Sequence, residues 1–498
     1  MDVLNNHQAL LDQQFRSQKF HFFLIAALSF VMLFANLHRG DLSGYDDAAY
    51  AHEGKQMLLT GDWWNVRLNG HLDFDKPPMF IWLEALSMKF FGISDFAAKF
   101  PSALLGLGTI LLVFFITRDL TDQFWLPILA MLILTCTQYF MKYAMHAMTG
   151  VPFTFFFTLA IFFYIKGLKR PGYLLMCGAA ISFALLTRSP MGAVPLTIIV
   201  IHLFFIRRTR LLWSKYLIGC FLLALLPPAI WYLLQYRLHG DYFLSEHFSN
   251  IMAHAVSTQP KSPWERIAGY FHYPYLLLKL YWPWLPLMVM GLVMQLKKAL
   301  HSRDLAGSLL IIWVVCVVLP FSLAESKVLR YILEAFPAFS IFAAIPLNIY
   351  IPSDRKDTWF KAAYLLLILA AVLISVSPTY RLRAEDMRKL APIAEALTSP
   401  GQRVLLYTHG ELQVDYRNQL IWYAERLCKH LTDMEEVKSM LEQAPHTVVI
   451  MDKGTFTHLF NNLDSHTEIL GESENFVCFK RAVRSTHPTL GNSEGGDR

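Results

Sequence analysis

The sequence predicts a polytopic α-helical membrane protein with interfacial helices in its first outer loop and a small α/β domain at its C-terminal end. Three observations carry that prediction: apolar blocks of span length, basic residues on alternate loops, and a change of character after Pro378. Of the 498 residues, 55% are apolar and 16% charged, an apolar share above that of an ordinary soluble domain. The excess is blocked. Apolar runs of roughly 17–20 residues recur, long enough to cross a ~30 Å hydrocarbon core. They fall at 20–37, 100–117, 124–141, 150–165, 171–187, 189–206, 216–235, 274–295, 305–324, 331–352 and 362–378, about eleven spans. The first is too long for a signal-peptide core and no small-x-small site follows it, so it is expected to remain on the mature chain.

Charge sets the expected orientation. With Arg16 and Lys19 cytoplasmic, alternate loops should be basic. They are: Lys166/Lys169/Arg170, Arg207/Arg208/Arg210/Lys215, Lys297/Lys298/Arg303 and Arg355/Lys356/Lys361, with 118–123 the weak member. The formal charge of +6 is therefore topological. Outside these loops no weave of basic and aromatic residues suited to nucleic acid occurs. Cys136, Cys177, Cys220 and Cys316 sit in spans as small packing residues. Cys428 and Cys478 fall in the non-cytoplasmic tail, where a disulfide between them is permitted but not fixed by spacing.

The opposite face carries 38–95, 142–149, the 187–190 hinge, 236–273, 324–330 and everything after 378. Both long loops lie there, and long, composition-rich loops tend to carry function. That face is the expected working face. In the first loop, 47–59 has helical spacing with Tyr50, Met57 and Leu58 toward lipid, and 81–91 is a second interfacial helix. Pro77-Pro78 ends the stretch between them and presets the next helix start. The spans and loops make a domain of 1–378. A soluble α/β domain is expected over 379–484, with strands at 403–407 and 447–451, a helix at 434–441 and an edge strand at 476–479. From Ser485 the chain is polar, Gly-rich and expected to be disordered.

The loop between the first two spans reads Tyr45-Asp46-Asp47-Ala48-Ala49-Tyr50, then Gly61-Asp62-Trp63, Asn69-Gly70 and Asp75-Lys76-Pro77-Pro78. Charges held at a bilayer edge are expensive and usually functional. This order resembles the membrane-embedded GT-C glycosyltransferases, in the bacterial group of protein O-mannosyltransferase relatives and the lipid A aminoarabinose transferase. Thr187-Arg188-Ser189-Pro190, where relatives carry Lys-Gly-Pro, and Ser326-Lys327 followed by Tyr331 extend the likeness over about 20–350.

The resemblance implies a GT-C fold and a polyprenyl-phosphate sugar as donor. It implies an acceptor hydroxyl or phosphate on lipid A, another envelope glycan or a protein, at the periplasmic side of a bacterial inner membrane. Such chemistry needs a carboxylate for the acceptor proton and cations on the departing phosphate. By the resemblance Asp46 is the candidate base, with Asp47 beside it in place of the usual Glu. Lys76 and Tyr331 match phosphate-holding residues, and Arg188, Lys327 and Arg330 join them by topology. Asp75 matches an acid that binds a divalent cation together with a histidine, for which His247 is the counterpart here.

Two departures stand out. Gly150, in Met148-Thr149-Gly150-Val151-Pro152, occupies the place of a second aspartate, and Glu334 replaces a usual proline. An acid entering a span wants a partner, and Arg330 at i−4 is expected to supply it. Plainer roles exist for each residue. Asp46 or Asp47 can cap the helix, Lys76 can snorkel, and the arginines and Lys327 can anchor at the boundary. His247 can be a polar loop residue, and 281–284 reads as an aromatic belt. The alternative class is a lipid-linked-sugar transporter or a non-catalytic binding protein on the same frame. Paired mid-span charges on repeated halves, which a transporter favours, are not found.

Overall fold

The computed structural model describes residues 2–39, 41–42, 46–255, 264, 269–302, 304–324, 327–376, 385–399, 401–408, 413–444, 446–460 and 467–481. The expected tail from Ser485, the junction at 378–379 and Ser326 lie outside them. The chain divides into two compact units, 1–40 with 53–381 and 41–52 with 382–498.

The helices run α1 (Asp2–Phe34), α2 (Asp47–Thr60), α3 (Met79–Phe91), α4 (Asp95–Leu120), α5 (Leu126–Thr135), α6 (Gln138–Ala144), α7 (Gly150–Lys169) and α8 (Tyr173–Thr187). Next come α9 (Val194–Phe205), α10 (Lys215–His239), α11 (Asp241–Ala255), α12 (His272–Leu280), α13 (Trp284–Ser302), α14 (Leu305–Leu323), α15 (Phe336–Tyr350) and α16 (Ser353–Val376). A 3-10 helix, Leu329–Ala335, leads into α15, and a two-stranded hairpin, β1 (Arg67–Leu68) with β2 (His71–Leu72), separates α2 from α3.

Helix stands at every predicted span. Among the described residues, five helical stretches are long and apolar enough to cross a membrane: α4, α7, α10, α14 and Leu329–Tyr350. The pair α5–α6 makes a sixth if taken as one span bent by 65°. Gln18–Phe34, Tyr173–Thr187, Met191–Phe205 and Thr358–Ala370 are shorter apolar helices. The predicted single run 124–141 is thus broken. The Thr135 and Thr137 hydroxyls donate to the Met131 and Ile133 carbonyls at 3.0 and 2.8 Å, and such back-bonding bends helices. The run 274–295 is divided between α12 and α13 at Pro283, which has no amide hydrogen to continue the first helix.

The core of this unit packs α4 on α7, α7 on α8, α8 on α10 and α13 on α15. Glycine lets two of these pairs close: a Cβ at Gly178 would strike the Cys220 carbonyl, and one at Gly291 the Phe342 carbonyl. The expectation that Tyr50 and Met57 face lipid is corrected, because both are buried in protein.

The second unit holds a five-stranded sheet, β3 (Arg403–Tyr407), β4 (Leu427–Leu431), β5 (Val449–Asp452), β6 (Thr467–Glu472) and β7 (Phe476–Arg481), in the order β4-β3-β5-β7-β6. β3 is parallel to β4 and β5; β7 is antiparallel to β5 and β6. Its helices are α17 (Glu385–Ala396), α18 (Gln413–Tyr423), α19 (Met434–Gln443) and α20 (Lys453–Phe460). The strand expected at the edge, β7, is interior, because its run Phe476-Val477-Cys478-Phe479 is buried on both faces. Cys428 and Cys478 are free. Their strands lie three steps apart in the sheet, about 14 Å, too far for a disulfide. Burial pushes both thiols up to about 12.

Candidate active site

The loop between α2 and α3 is a stack of turns set by its motif residues. Gly61 ends α2 with φ +72°, and Asn69 and Gly70 take φ 52° and 83° to close the β1–β2 hairpin, the preferred Asn-Gly solution. Asp62 Oδ1 accepts the amides of Trp64 and Asn65, both at 3.2 Å, and its Oδ2 takes Asn65 Nδ2 at 2.9 Å. Partial burial works against the charge, but these bonds and Arg67 hold the Asp62 carboxyl below its ordinary range. The turn is then pinned: Trp82 Nε1 donates to the Trp63 carbonyl at 2.7 Å and Gln235 Nε2 to the Trp64 carbonyl at 2.8 Å. The Gly-Asp-Trp and Asn-Gly motifs build the mount.

On that mount Lys76 Nζ lies 2.7 Å from Asp75 Oδ2, with the lysine 21% exposed. Asp73 Oδ1 accepts the Asp75 amide at 2.7 Å. Glu53, on α2, faces the acids Asp73, Glu84 and Asp75 and the cation Lys76. Burial, then the neighbouring Asp73, Glu84 and Asp75, push the Glu53 carboxyl well above its ordinary value. Burial likewise raises Asp73. Sequence reasoning missed both acids; the alternation Asp73-Phe74-Asp75 was the available signal, since it sends both carboxylates to one side of an extended strand.

His247 joins this loop to α10. Its Nδ1 donates to the Phe74 carbonyl at 2.6 Å and its Nε2 accepts the Tyr232 hydroxyl at 2.7 Å. A carbonyl can only accept, which fixes the tautomer. Burial holds the imidazole below its ordinary pKa. A chain of two bonds, Tyr232–His247–Phe74, thus links α10 to the loop that ends in Lys76. Phe74, Leu186, Trp231 and Phe243 pack as one cluster around it.

Arg188 caps the end of α8 by donating its amide to the Ala184 carbonyl. Its Nη2 donates to Thr149 Oγ1 at 3.2 Å, its Nη1 lies 3.6 Å from Glu334 Oε1, and its guanidinium sits 5.3 Å from the Phe153 ring centre. The expected Glu334–Arg330 pairing is corrected. The cation beside Glu334 is Arg188, while the Arg330 guanidinium lies over the Tyr331 ring at 5.8 Å. Tyr331 stacks on Phe321. Lys327 Nζ lies 3.2 Å from where a Cβ would stand on Gly269. Gly150 brings no carboxylate, and a Cβ there would come 3.1 Å from Leu333 Cδ1. The segment 327–335 thus gathers Lys327, Arg330, Tyr331 and Glu334, with Arg188 and Thr149 reaching it from α8 and the start of α7.

Asp46 and Asp47 belong to the second unit. Asp47 opens α2 and is 2% exposed, and the Asp46 carbonyl takes the Tyr50 amide at 3.0 Å.

The expected cation site on Asp75 and His247 does not fit this arrangement. Both ring nitrogens of His247 are committed to Phe74 and Tyr232 and the Asp75 carboxylate to Lys76. Among the described residues no group of three His, Cys, Asp or Glu side chains is placed to hold a metal.

A family model described as dolichyl-phosphate-mannose-protein mannosyltransferase matches residues 75–232, from Asp75 to Tyr232. The undecaprenyl phosphate-alpha-4-amino-4-deoxy-L-arabinose arabinosyl transferase of Aeromonas hydrophila subsp. hydrophila is 27% identical over 361 residues, 68% of this chain and 63% of that protein. This chain thus spans less than two thirds of that transferase. A chain of Aquifex aeolicus is 29% identical over 362 residues, 72% of this chain and 70% of its own length.

Among solved structures, ArnT from Cupriavidus metallidurans in the apo state superposes with TM-score 0.69 at 17% identity, covering 92% of this chain and 97% of ArnT. The Archaeoglobus fulgidus oligosaccharyltransferase in the apo form gives 0.56 at 12%, covering 87% and 69%. The fold is the GT-C fold shared with these transferases, and it is carried on apolar helices long enough to cross a membrane.

Proposed function

We propose that the chain transfers a sugar from a polyprenyl-phosphate donor, of the undecaprenyl type, to an acceptor hydroxyl or phosphate on lipid A, another envelope glycan or a protein. The transfer takes place at the periplasmic side of the inner membrane. Asp46 accepts the acceptor's proton, with Asp47 beside it at the start of α2. The freed oxygen attacks the anomeric carbon, the bond from that carbon to the phosphate oxygen breaks, and the polyprenyl phosphate leaves with the electron pair. Lys76 meets the growing negative charge, with Lys327, Arg330 and Tyr331 as further donors.

The observation that carries this reading is the mounting of Lys76. The cation stands partly exposed just before the Pro77-Pro78 start of α3, on a loop braced by Asp75 and by His247. The amide end of a helix adds favourable potential for a phosphate there. The arabinosyl transferases and ArnT support the donor class through the undecaprenyl phosphate in their names. The test is incubation of the purified protein with labelled polyprenyl-phosphate sugar. Release or transfer of the sugar supports the enzyme, retention without turnover supports a carrier, and Lys76→Ala should abolish either.

A further inference from the structure

The second unit contains a short piece of chain distant in sequence from the rest of it, residues 41–52. Both ends of that piece are tied to α17 and α18. At its start the Asp41 side chain, 0% exposed, takes Arg388 Nη1 at 2.8 Å. The Arg388 guanidinium lies 5.7 Å from the Tyr423 ring centre, and the Tyr423 hydroxyl accepts the Leu42 amide at 3.3 Å. At its end His52 Nδ1 donates to the Ile421 carbonyl at 3.0 Å, with His52 buried. Between the two ties lie Asp46 and Asp47, followed by Ala48, Ala49, Tyr50 and Ala51, all four buried. Asp46, half-buried, thus opens a buried stretch that ends in the His52 tie and follows the Asp41–Leu42 tie in the chain. That acid is held in a place set by the helices that clasp the segment.

We infer that the C-terminal unit is the mount of the acceptor-activating acid. The α17–α18 clasp fixes where Asp46 stands, and Asp41, Arg388, Tyr423 and His52 are positioning residues for proton transfer. This rests on the reading of Asp46 as the base. Lys76 and its braces, Asp75, Phe74 and His247, share no residue with the clasp. Loosening the clasp therefore acts on turnover and spares donor binding.

The experiment uses the full-length membrane protein and a labelled polyprenyl-phosphate sugar, with kcat and donor KM measured separately. Arg388→Ala should lower kcat by about 10²-fold at unchanged donor KM. The charge swap Asp41→Arg with Arg388→Asp should restore most of it, and Tyr423→Phe should give a smaller loss of the same kind. Lys438→Ala, on α19 and paired with Glu435, should leave both constants unchanged. Should Arg388→Ala fail to fold, Tyr423→Phe and the charge swap decide. A wild-type kcat in Arg388→Ala, or in Tyr423→Phe if that is the variant that folds, overturns the inference. So does a kcat loss that the swap does not repair. Asp46→Asn separates the two readings: if it is inactive while the clasp variants are wild type, only the mount falls. If it is fully active, the assignment of Asp46 itself falls.

Discussion

Arg188 Nη1 faces Glu334 Oε1 at 3.6 Å, with 13% and 2% of the two side chains exposed. The pair joins the end of α8 to the segment that carries Arg330 and Tyr331. The distance is too long for a direct hydrogen bond, so the interaction is charge facing charge in a poorly solvated place. Removing one partner of a buried pair leaves a charge uncompensated, which costs about 3 kcal/mol. Glu334→Gln should therefore lower stability by about that much, and adding Arg188→Gln should return part of the loss. Denaturant titration in detergent checks both; an additive double variant would contradict the pairing.

Gly150, where the sequence resemblance leads one to expect an acid, has its Cβ direction limited by the tip of one side chain, Leu333. A leucine tip yields by a few tenths of an ångström, and alanine gains up to about 1 kcal/mol of helix propensity over glycine. Gly150→Ala should thus lie within about 1 kcal/mol of wild type, measured by melting temperature. A loss well beyond that would mean the glycine meets backbone.

The Glu53–Asp73 pair makes a pH prediction. Burial raises Glu53 above its ordinary 4.5 in the folded chain. A raised carboxyl contributes stability that is fully present below 4.5 and is lost as pH climbs through the folded value. Glu53→Gln keeps the size of the side chain and carries no titratable group. Its melting temperature relative to wild type should rise as pH increases from 4.5. A difference independent of pH would contradict the protonated state of Glu53.

His247 acts as a strut between Phe74 and Tyr232. His247→Phe keeps the ring and drops both bonds, leaving the Phe74 carbonyl buried without its donor, a loss of about 1–3 kcal/mol. The loss should be the same with and without added divalent cation. Cation-dependent melting of the wild type that disappears in the variant would restore the ligand role expected for His247.

Much of the fold was legible in the chain because its signals are local. Span-length apolar runs, Pro77-Pro78 before α3 and Asn69-Gly70 between β1 and β2 each act through their own backbone. The site was legible only in part. Lys76 and Arg188 announced themselves as charges in apolar company, whereas Glu53 and Asp73 meet across 20 positions of chain, which no local pattern reports. Glu334 was recognised as an acid in need of a cation, but the helical rule named the neighbour one turn away. The partner came from another helix. The clasp on 41–52 was invisible for the same reason, since Asp41 and Arg388 are far apart in sequence. Nor could Cys428 and Cys478 be separated without the strand order.

The most direct test is the single-turnover rate of sugar transfer by Asp46→Asn, with donor binding measured in parallel. The account predicts a folded protein that holds the labelled donor as wild type does and transfers its sugar slower by about 10²–10⁴-fold. Transfer at the wild-type rate would contradict it.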